Sequence, residues 1–380
     1  MKLSTDRILT THVGSLPRPE PLGQMLLDRD AGKPVDAAEF EAVVKAAVGD
    51  VVRKQIEVGI DVVNDGEMSK IGYATYIKDR ASGFSGTSPR RVPADLELYP
   101  RYLKGAAERR ESPAIQRPNC NAEVKLTDNA PLERDIANFA AALDGAGATE
   151  GFMSAASPGV ICAFLPNEYY ATEDDYLEAL AAVMQQEYEA IHAAGFVIQL
   201  DCPDLAMARH MQYKAVSDEE FLARADAHIE VLNAAIANVP AEATRLHLCW
   251  GNYEGPHVCD ISVEKLMPVV RKVKAQVISF EASDPRHAHE WTVWRDADLP
   301  DDKVLMPGVI DSVSNFVEHP KLVAERIIRF ADFVGRERVL AGTDCGFGTF
   351  AGFGKIDPDI CYAKLKTLAE GAEIASEHLW

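Results

Sequence analysis

The chain has 380 residues, 47% of them hydrophobic and 26% charged, with a formal net charge of −20. That length and composition allow a large buried core. The strong acidity argues against nucleic acid and anionic membranes as partners and fits a soluble enzyme of small molecules. No apolar run approaches a membrane span and the N-terminus has no apolar signal core, so the expected location is cytoplasmic.

In chain order, Ile8–Pro19 reads as a short strand breaking into a Pro/Gly loop, followed by an amphipathic helix over 36–59. Asp61–Glu67 is a second strand and its turn. Residues 70–120 are rich in Arg, Pro, Ser and Gly and read as an excursion from the core, a hairpin with a loop, with Ala122–Leu126 as an extra strand there. Helices are expected at 131–147, 173–194, 217–238, 262–273, 319–334 and 357–375, with a short one at 286–294 that exposes His287 and His289. Between them fall strands at 151–155, 196–201, 245–249, 277–281, 304–311 (broken by Pro307-Gly308) and 338–342. Eight apolar strands alternating with helices predict an α/β fold, a (β/α)8 TIM barrel forming one domain over 1–380 with an insertion at about 70–125. A doubly wound sheet is the runner-up, weakened because no GxGxxG or P-loop pattern follows the first strand.

Polar residues gather just after the strands: His12 and Ser15, Asp65 and Glu67, Asp201, His247 and Cys249, Glu281, Asp311, Asp344 and Cys345. In a (β/α)8 barrel all these C-terminal ends converge on one mouth. His247 and Cys249 are two apart on a strand and share a face. With Glu281 and Cys345 they form a candidate Zn²⁺ site of N, O and S donors. Such an ion would hold an incoming thiol as a thiolate that stays nucleophilic. Each residue taken alone has an ordinary alternative: a buried cysteine is usually a small hydrophobe. The seven scattered cysteines point to thiols rather than disulfides. The Phe347, Phe350 and Phe353 spacing fits either the mouth or loop packing, and Arg18 either an anionic substrate group or a surface salt bridge.

At these residues the sequence resembles the catalytic C-terminal barrel of cobalamin-independent methionine synthase, within a wider superfamily that includes uroporphyrinogen decarboxylase. The likeness runs from Thr10-Thr-His-Val-Gly-Ser15 to Gly342-Thr-Asp-Cys-Gly346. The family's zinc pattern, a His-x-Cys strand, a Glu ending the next strand and a late Asp-Cys-Gly, corresponds to His247, Cys249, Glu281 and Cys345. The resemblance implies a zinc-dependent thiol S-methyltransferase acting on a homocysteine-like thiol. Val13, Gly14, Ser15, Glu67 and Asp201 would bind that substrate. The donor would be 5-methyltetrahydrofolate, a methylated corrinoid protein or a small sulfonium. The second, N-terminal barrel of the full-length synthase has no counterpart in these residues. Three departures stand out. The family's Asp-Glu-Pro-Ala-Leu is here Asp201-Cys-Pro-Asp-Leu205, with Met207 at a family acidic position. The family's Asp-x-His-Ser is Asp311-Ser-Val-Ser-Asn315, which keeps Asp311 as a catalytic candidate but loses the histidine, leaving His12 as the imidazole at that mouth. The folate-binding Arg-Cys and Trp positions have no match near Arg117–Cys120 or Ala155–Pro158. The alternative these departures leave open is a zinc-dependent thiol alkyltransferase or lyase acting on an epoxide or thioether, like epoxyalkane:coenzyme M transferase.

Overall fold

The structure is a computed structural model that describes residues 1–89, 91–108, 115–352 and 356–380. Eight parallel strands make up the barrel: β1 (Leu9–Thr10), β2 (Val62–Val63), β3 (Glu150–Ala156), β4 (Val197–Asp201), β5 (Thr244–Leu248), β6 (Val277–Phe280), β7 (Val304–Ile310) and β8 (Leu340–Thr343). They neighbour one another in chain order from β2 to β8, and β8 returns to β1. The β1–β2 seam is closed without a full ladder. The Asp61 N–H donates to Thr10 O at 3.2 Å, and Thr11 Oγ1 donates to Val62 O at 2.9 Å. The (β/α)8 architecture expected from eight alternating apolar strands is therefore the observed one.

The long helices sit where their apolar periodicity puts them, at Ala37–Glu57, Ala130–Leu143, Glu173–Ala193, Asp218–Ala235, Val263–Val270, Pro320–Val334 and Pro358–Leu379. Their starts are chemically marked. Asp36 accepts from Glu39 N, Thr172 and Asp175 form a reciprocal capping box, and Ser217 and Ser262 cap the next two. No helix among the described residues is long and apolar enough to cross a membrane.

Several local expectations are corrected. Pro307-Gly308 does not break the seventh strand: β7 runs through both, Pro307 pairing with Phe280 and Gly308 with Gly342. The lost N–H is absorbed where β8 carries an irregularity at Gly342/Thr343. Ala122–Leu126 is not a strand; the antiparallel pair is Phe84–Ser85 with Asn119–Cys120, because Ala122 N turns back to Gly83 O. Helices at Glu20–Asp30 and Pro158–Phe164 were hidden in proline-rich stretches, where Pro at the first turn favours a helix start. The excursion carries two further helices, Ala94–Glu97 and Pro100–Glu108.

Outside the mouth, one buried polar clamp fixes the chain after β4. His228 Nδ1 lies 2.9 Å from Asp204 Oδ2, Ser157 Oγ donates to Asp204 Oδ1 at 2.7 Å, and Glu173 lies 3.8 Å from His228 Nε2. Burial opposes the charged imidazole, but the carboxylates of Asp204 and Glu173 outweigh it and lift its pKa to about 9. That is above the ~6.5 of an unfolded histidine, so the clamp stabilises fully below about pH 6.5. The contribution is lost as pH rises through about 9. Thermal unfolding at pH 7 and pH 10 should show wild type losing more of its melting temperature over that interval than His228→Asn, which starts lower at pH 7.

Candidate metal and substrate site at the barrel mouth

Strand β5 directs Arg245, His247 and, just beyond its end, Cys249 toward the barrel axis at successive heights. His247, Cys249 and Cys345 come together there, their ligand atoms all within 4.8 Å of one another. The two sulfurs are 3.8 Å apart. Two Zn–S bonds of ~2.3 Å at a tetrahedral angle require sulfurs ~3.8 Å apart, so the spacing fits that ion. His247 Nδ1 pairs with Ser279 Oγ at 3.2 Å, while its buried Nε2 has no hydrogen-bond partner among the described residues. An orphaned buried imidazole nitrogen beside two thiols is a lone pair waiting for a Lewis acid. Burial, and then the nearby Arg245 charge, lowers the His247 pKa to about 3, so the ring is neutral and ligand-competent. The Cys249 thiol is pushed well up by its contact with Cys345 and by burial.

Glu281 lies outside this group of three ligand atoms. Its Oε1 accepts from Trp250 N at 2.9 Å, it stands close enough to Cys249 for each to perturb the other, and burial raises its pKa strongly. The β6 and β8 ends that carry Glu281 and Cys345 are joined by Asp344, whose Oδ1 accepts from Ala282 N (2.8 Å) and Ser283 N (3.0 Å).

A cavity of about 380 Å³ opens beside the cluster, lined among others by Val13, Ser15, Glu67, Asp201, His247, Cys249 and Cys345. The Val13-Gly14-Ser15 turn is made possible by Gly14, whose φ is 134° and where a Cβ would lie 2.3 Å from Ser154 Oγ. The next turn is strained to aim a carboxylate: Gly66 (φ 64°) is followed by Glu67 in the same left-handed region (φ 57°), and Glu67 Oε2 is buried without a partner among the described residues. Asp201 accepts from Gln199 Nε2 at 2.8 Å. Burial first, then the other carboxylate's charge, pushes Asp201 well above the usual carboxylate range, and burial raises Glu67 also. Two desolvated carboxyls in one mouth are matched by an arriving cation.

Other candidates fall elsewhere. His12 sits below the mouth with both ring nitrogens engaged. Nε2 pairs with Gln55 Oε1 at 2.7 Å and Nδ1 accepts from Gly14 N at 3.2 Å, so the ring braces the Gly14 turn. Asp311 turns its carboxylate onto its own loop, accepting from Val313 N (2.8 Å) and Ser314 N (3.1 Å). Arg18 donates to Gly348 O and joins the first and last loops. His287 is buried rather than exposed, stacked 4.2 Å from Trp250 and bonded to Asp260 (2.9 Å) and Glu290 (2.8 Å); His289 is exposed as expected. Phe347 is buried and Phe350 lines the cavity, while Phe353 lies outside the described residues.

Two residues escaped the sequence reading. Tyr73, at the start of a 3₁₀ turn in the excursion, reaches the cavity near Asp201, Cys249, Cys345 and Glu67, and burial raises its pKa well above 10, so its O–H stays protonated. Asn252 donates to Gly346 O (2.6 Å) and Thr349 Oγ1 (2.8 Å) and accepts from Ser312 Oγ (3.1 Å), holding the Cys345 loop. Only the strand-loop-Gly pattern around Trp250-Gly251 hinted at the latter.

The fold is a (β/α)8 barrel whose mouth gathers one imidazole and two thiols, a donor set that could hold a metal ion. Comparison with known proteins narrows the class. Residues 167–353, which include all four expected metal donors, match the catalytic domain of the cobalamin-independent synthase. The chain is 27% identical over 375 residues to a methionine synthase of Sulfolobus acidocaldarius, covering 97% of this chain and 93% of that protein. It is 26% identical over 374 residues to one of Thermococcus kodakarensis, at 97% and 94% coverage. A B12-independent methionine synthase from Shewanella sp. W3-18-1, solved with selenomethionine, shares the fold with a TM-score of 0.74 at 20% identity over 98% of this chain and 99% of that one. The chain is thus similar to cobalamin-independent methionine synthases in sequence along nearly its whole length, and to their catalytic domain over residues 167–353.

The Ser279 hydroxyl is what orients His247. Removing such a partner of a ligand histidine typically weakens metal affinity 10- to 100-fold. Ser279→Ala should therefore keep its fold by circular dichroism and lose affinity for Zn²⁺ by about that factor in chelator competition.

Proposed function

We propose that the protein is a zinc-dependent thiol S-methyltransferase that transfers a methyl group to a homocysteine-like amino-acid thiol. The observation that carries this reading is the His247 Nε2, without a hydrogen-bond partner among the described residues, within 4.8 Å of two thiol sulfurs, 3.8 Å apart, at the wall of the mouth cavity. His247, Cys249 and Cys345 would hold the ion, with Glu281 beside Cys249 as the remaining protein donor. Bound there, zinc would lower the pKa of an incoming thiol so that it is present as a nucleophilic thiolate at neutral pH.

The chain's own groups then bind and orient. Glu67 and Asp201 receive the substrate ammonium, whose charge relieves the repulsion and desolvation that raise both carboxyls. The Ser15 backbone N–H faces the substrate carboxylate, in a turn braced by His12 through Gly14 N. Held at both ends, the thiol has one direction in which to attack, which is the contribution of positioning to the rate. Tyr73, protonated and at the cavity wall, offers an O–H to the departing side of the methyl donor, in place of the family histidine replaced at Asp311-Ser-Val-Ser-Asn315. The relatives named methionine synthase favour methyl transfer over epoxide opening.

Zinc-edge X-ray absorption on zinc-loaded protein tests the reading. Homocysteine should add one sulfur to the metal shell, and Cys345→Ser should lose zinc and fall to background methyl transfer. An unchanged shell with homocysteine, or full activity in a zinc-free Cys345→Ser, would overturn it. Asp201→Asn should leave zinc content intact and raise the KM for the amino-acid thiol by about tenfold or more, since it removes a charge-assisted bond worth ~1.5–3 kcal/mol.

A further inference from the structure

Behind the cavity wall, one side chain joins the turns that carry Ser15 and Glu67. Gln55, on the helix Ala37–Glu57, is fully buried and does not line the cavity. A carboxamide has two donor and two acceptor positions, and here all four are used. Nε2 donates to Val51 O (3.0 Å), on its own helix, and to Asn64 O (2.8 Å). Oε1 accepts from Asn64 N (2.9 Å) and pairs with His12 Nε2 (2.7 Å). The orientation of the amide is forced, because a flipped group would set its oxygen against the Val51 and Asn64 carbonyls. The Asn64 backbone is thus gripped by both its N–H and its C=O, as a neighbouring strand would grip it, just past the end of β2. Asn64 Oδ1 then accepts from Gly66 N (2.9 Å), which opens the left-handed turn to Glu67.

The other branch runs through His12. Gln55 Oε1 can only accept, so His12 Nε2 carries the proton. Burial lowers the His12 pKa to about 4, which keeps the ring neutral and leaves a lone pair on Nδ1. That lone pair accepts from Gly14 N at 3.2 Å. The opposite tautomer would present N–H to N–H. The amide of Gln55 therefore sets the tautomer, and the tautomer sets the Gly14 turn. The two turns also meet directly. Leu16 N donates to Gly66 O at 3.2 Å, and a Cβ on Gly14 would lie 3.2 Å from both Asn64 Nδ2 and Glu67 Oε1.

We infer that Gln55 is a positioning residue for the amino-acid end of the substrate, its one carboxamide setting the turn at Ser15 and the turn at Glu67 in register with each other. That these turns receive a carboxylate and an ammonium rests on the methyltransferase reading; the hydrogen-bond relay does not. Gln55 acts on the ligand only through His12 and Asn64, from a helix on the outside of the barrel.

The test is calorimetric, on zinc-loaded protein, with L-norleucine as the probe. Norleucine carries the amino and carboxylate groups and no sulfur, so it reads these turns without the metal. Gln55→Met removes the four hydrogen bonds at nearly constant volume. Gln55→Glu is isosteric and, in either protonation state, lacks at least one of the two donors. Each variant should bind norleucine at least about tenfold more weakly than wild type, the value of one charge-assisted bond, and hold Zn²⁺ as tightly in chelator competition. In nitrogen-15 spectra of histidine-labelled protein, His12, assigned by its loss in His12→Asn, should show a bare Nδ1 and a protonated Nε2. Gln55→Met should bring it into exchange between the two tautomers. A residue that only filled space would leave Gln55→Glu at wild-type affinity. Unchanged norleucine affinity in both variants, an unchanged His12 tautomer in Gln55→Met, or zinc affinity falling in parallel would overturn the proposal. Failure of norleucine to bind wild type would overturn the amino-acid site and the role of Gln55 with it. If norleucine binds as expected but homocysteine adds no sulfur to the zinc shell, the methyltransferase reading falls and the role of Gln55 at an amino-acid site stands.

Discussion

The mouth of this barrel depends on a buried cation below it. Arg245 fills the barrel interior, 3.5 Å from the centroid of the Phe152 ring, and donates to Thr11 Oγ1 (3.0 Å) and His12 O (2.8 Å). It therefore fastens β5 to the residues leading into the first loop, two positions below His247 on the same face. Full burial lowers even this guanidinium to about 9. Its charge works outward in turn, adding to burial in keeping His12 (about 4) and His247 (about 3) neutral. One side chain thus ties β5 to the first loop and adds to the burial that keeps both His247 and the imidazole bracing Gly14 neutral.

Above that level the polar side chains are divided by task. Those that face the cavity, Glu67, Asp201 and His247, each keep at least one position open or weakly satisfied. Those just behind them, Gln55, Ser279 and Asp344, are bonded to the elements on either side. Such an arrangement holds reactive groups in place through neighbours that have no freedom left, which is how a site is preorganised.

Much of this was legible in the sequence, because the strands are short apolar runs and their polar ends are distinctive. His247-x-Cys249, Glu281 and Asp344-Cys345 fall on the three strand ends that meet. What escaped was whatever depended on contacts distant along the chain. His287 looks like an exposed helical histidine until Trp250 stacks on it and Asp260 and Glu290 enclose it. Pro307 reads as a strand breaker until a partner strand accommodates it. The helices of the excursion are four and nine residues long, too short for periodicity to declare them. Tyr73 had no local motif at all; only folding brings it to Asp201 and the cysteines.

The excursion between β2 and β3, which supplies Val92, Leu96 and Leu103 to the cavity wall as a roof, has its own anchorage, and that anchorage has an evolutionary consequence. Asp95 is held by Tyr253 and His257, and Tyr102 OH donates to Glu254 O, so three of the roof's fastenings land on the single loop that begins after Cys249. The group of His247, Cys249 and Cys345, by contrast, sits at strand ends that the excursion does not build. Part of the cavity wall and the His/Cys group are therefore encoded in separable stretches of chain. Rewriting the segment between β2 and β3 would reshape that wall while His247, Cys249 and Cys345 stay at their strand ends, so a lineage can change what the mouth admits without moving the side chains at its floor.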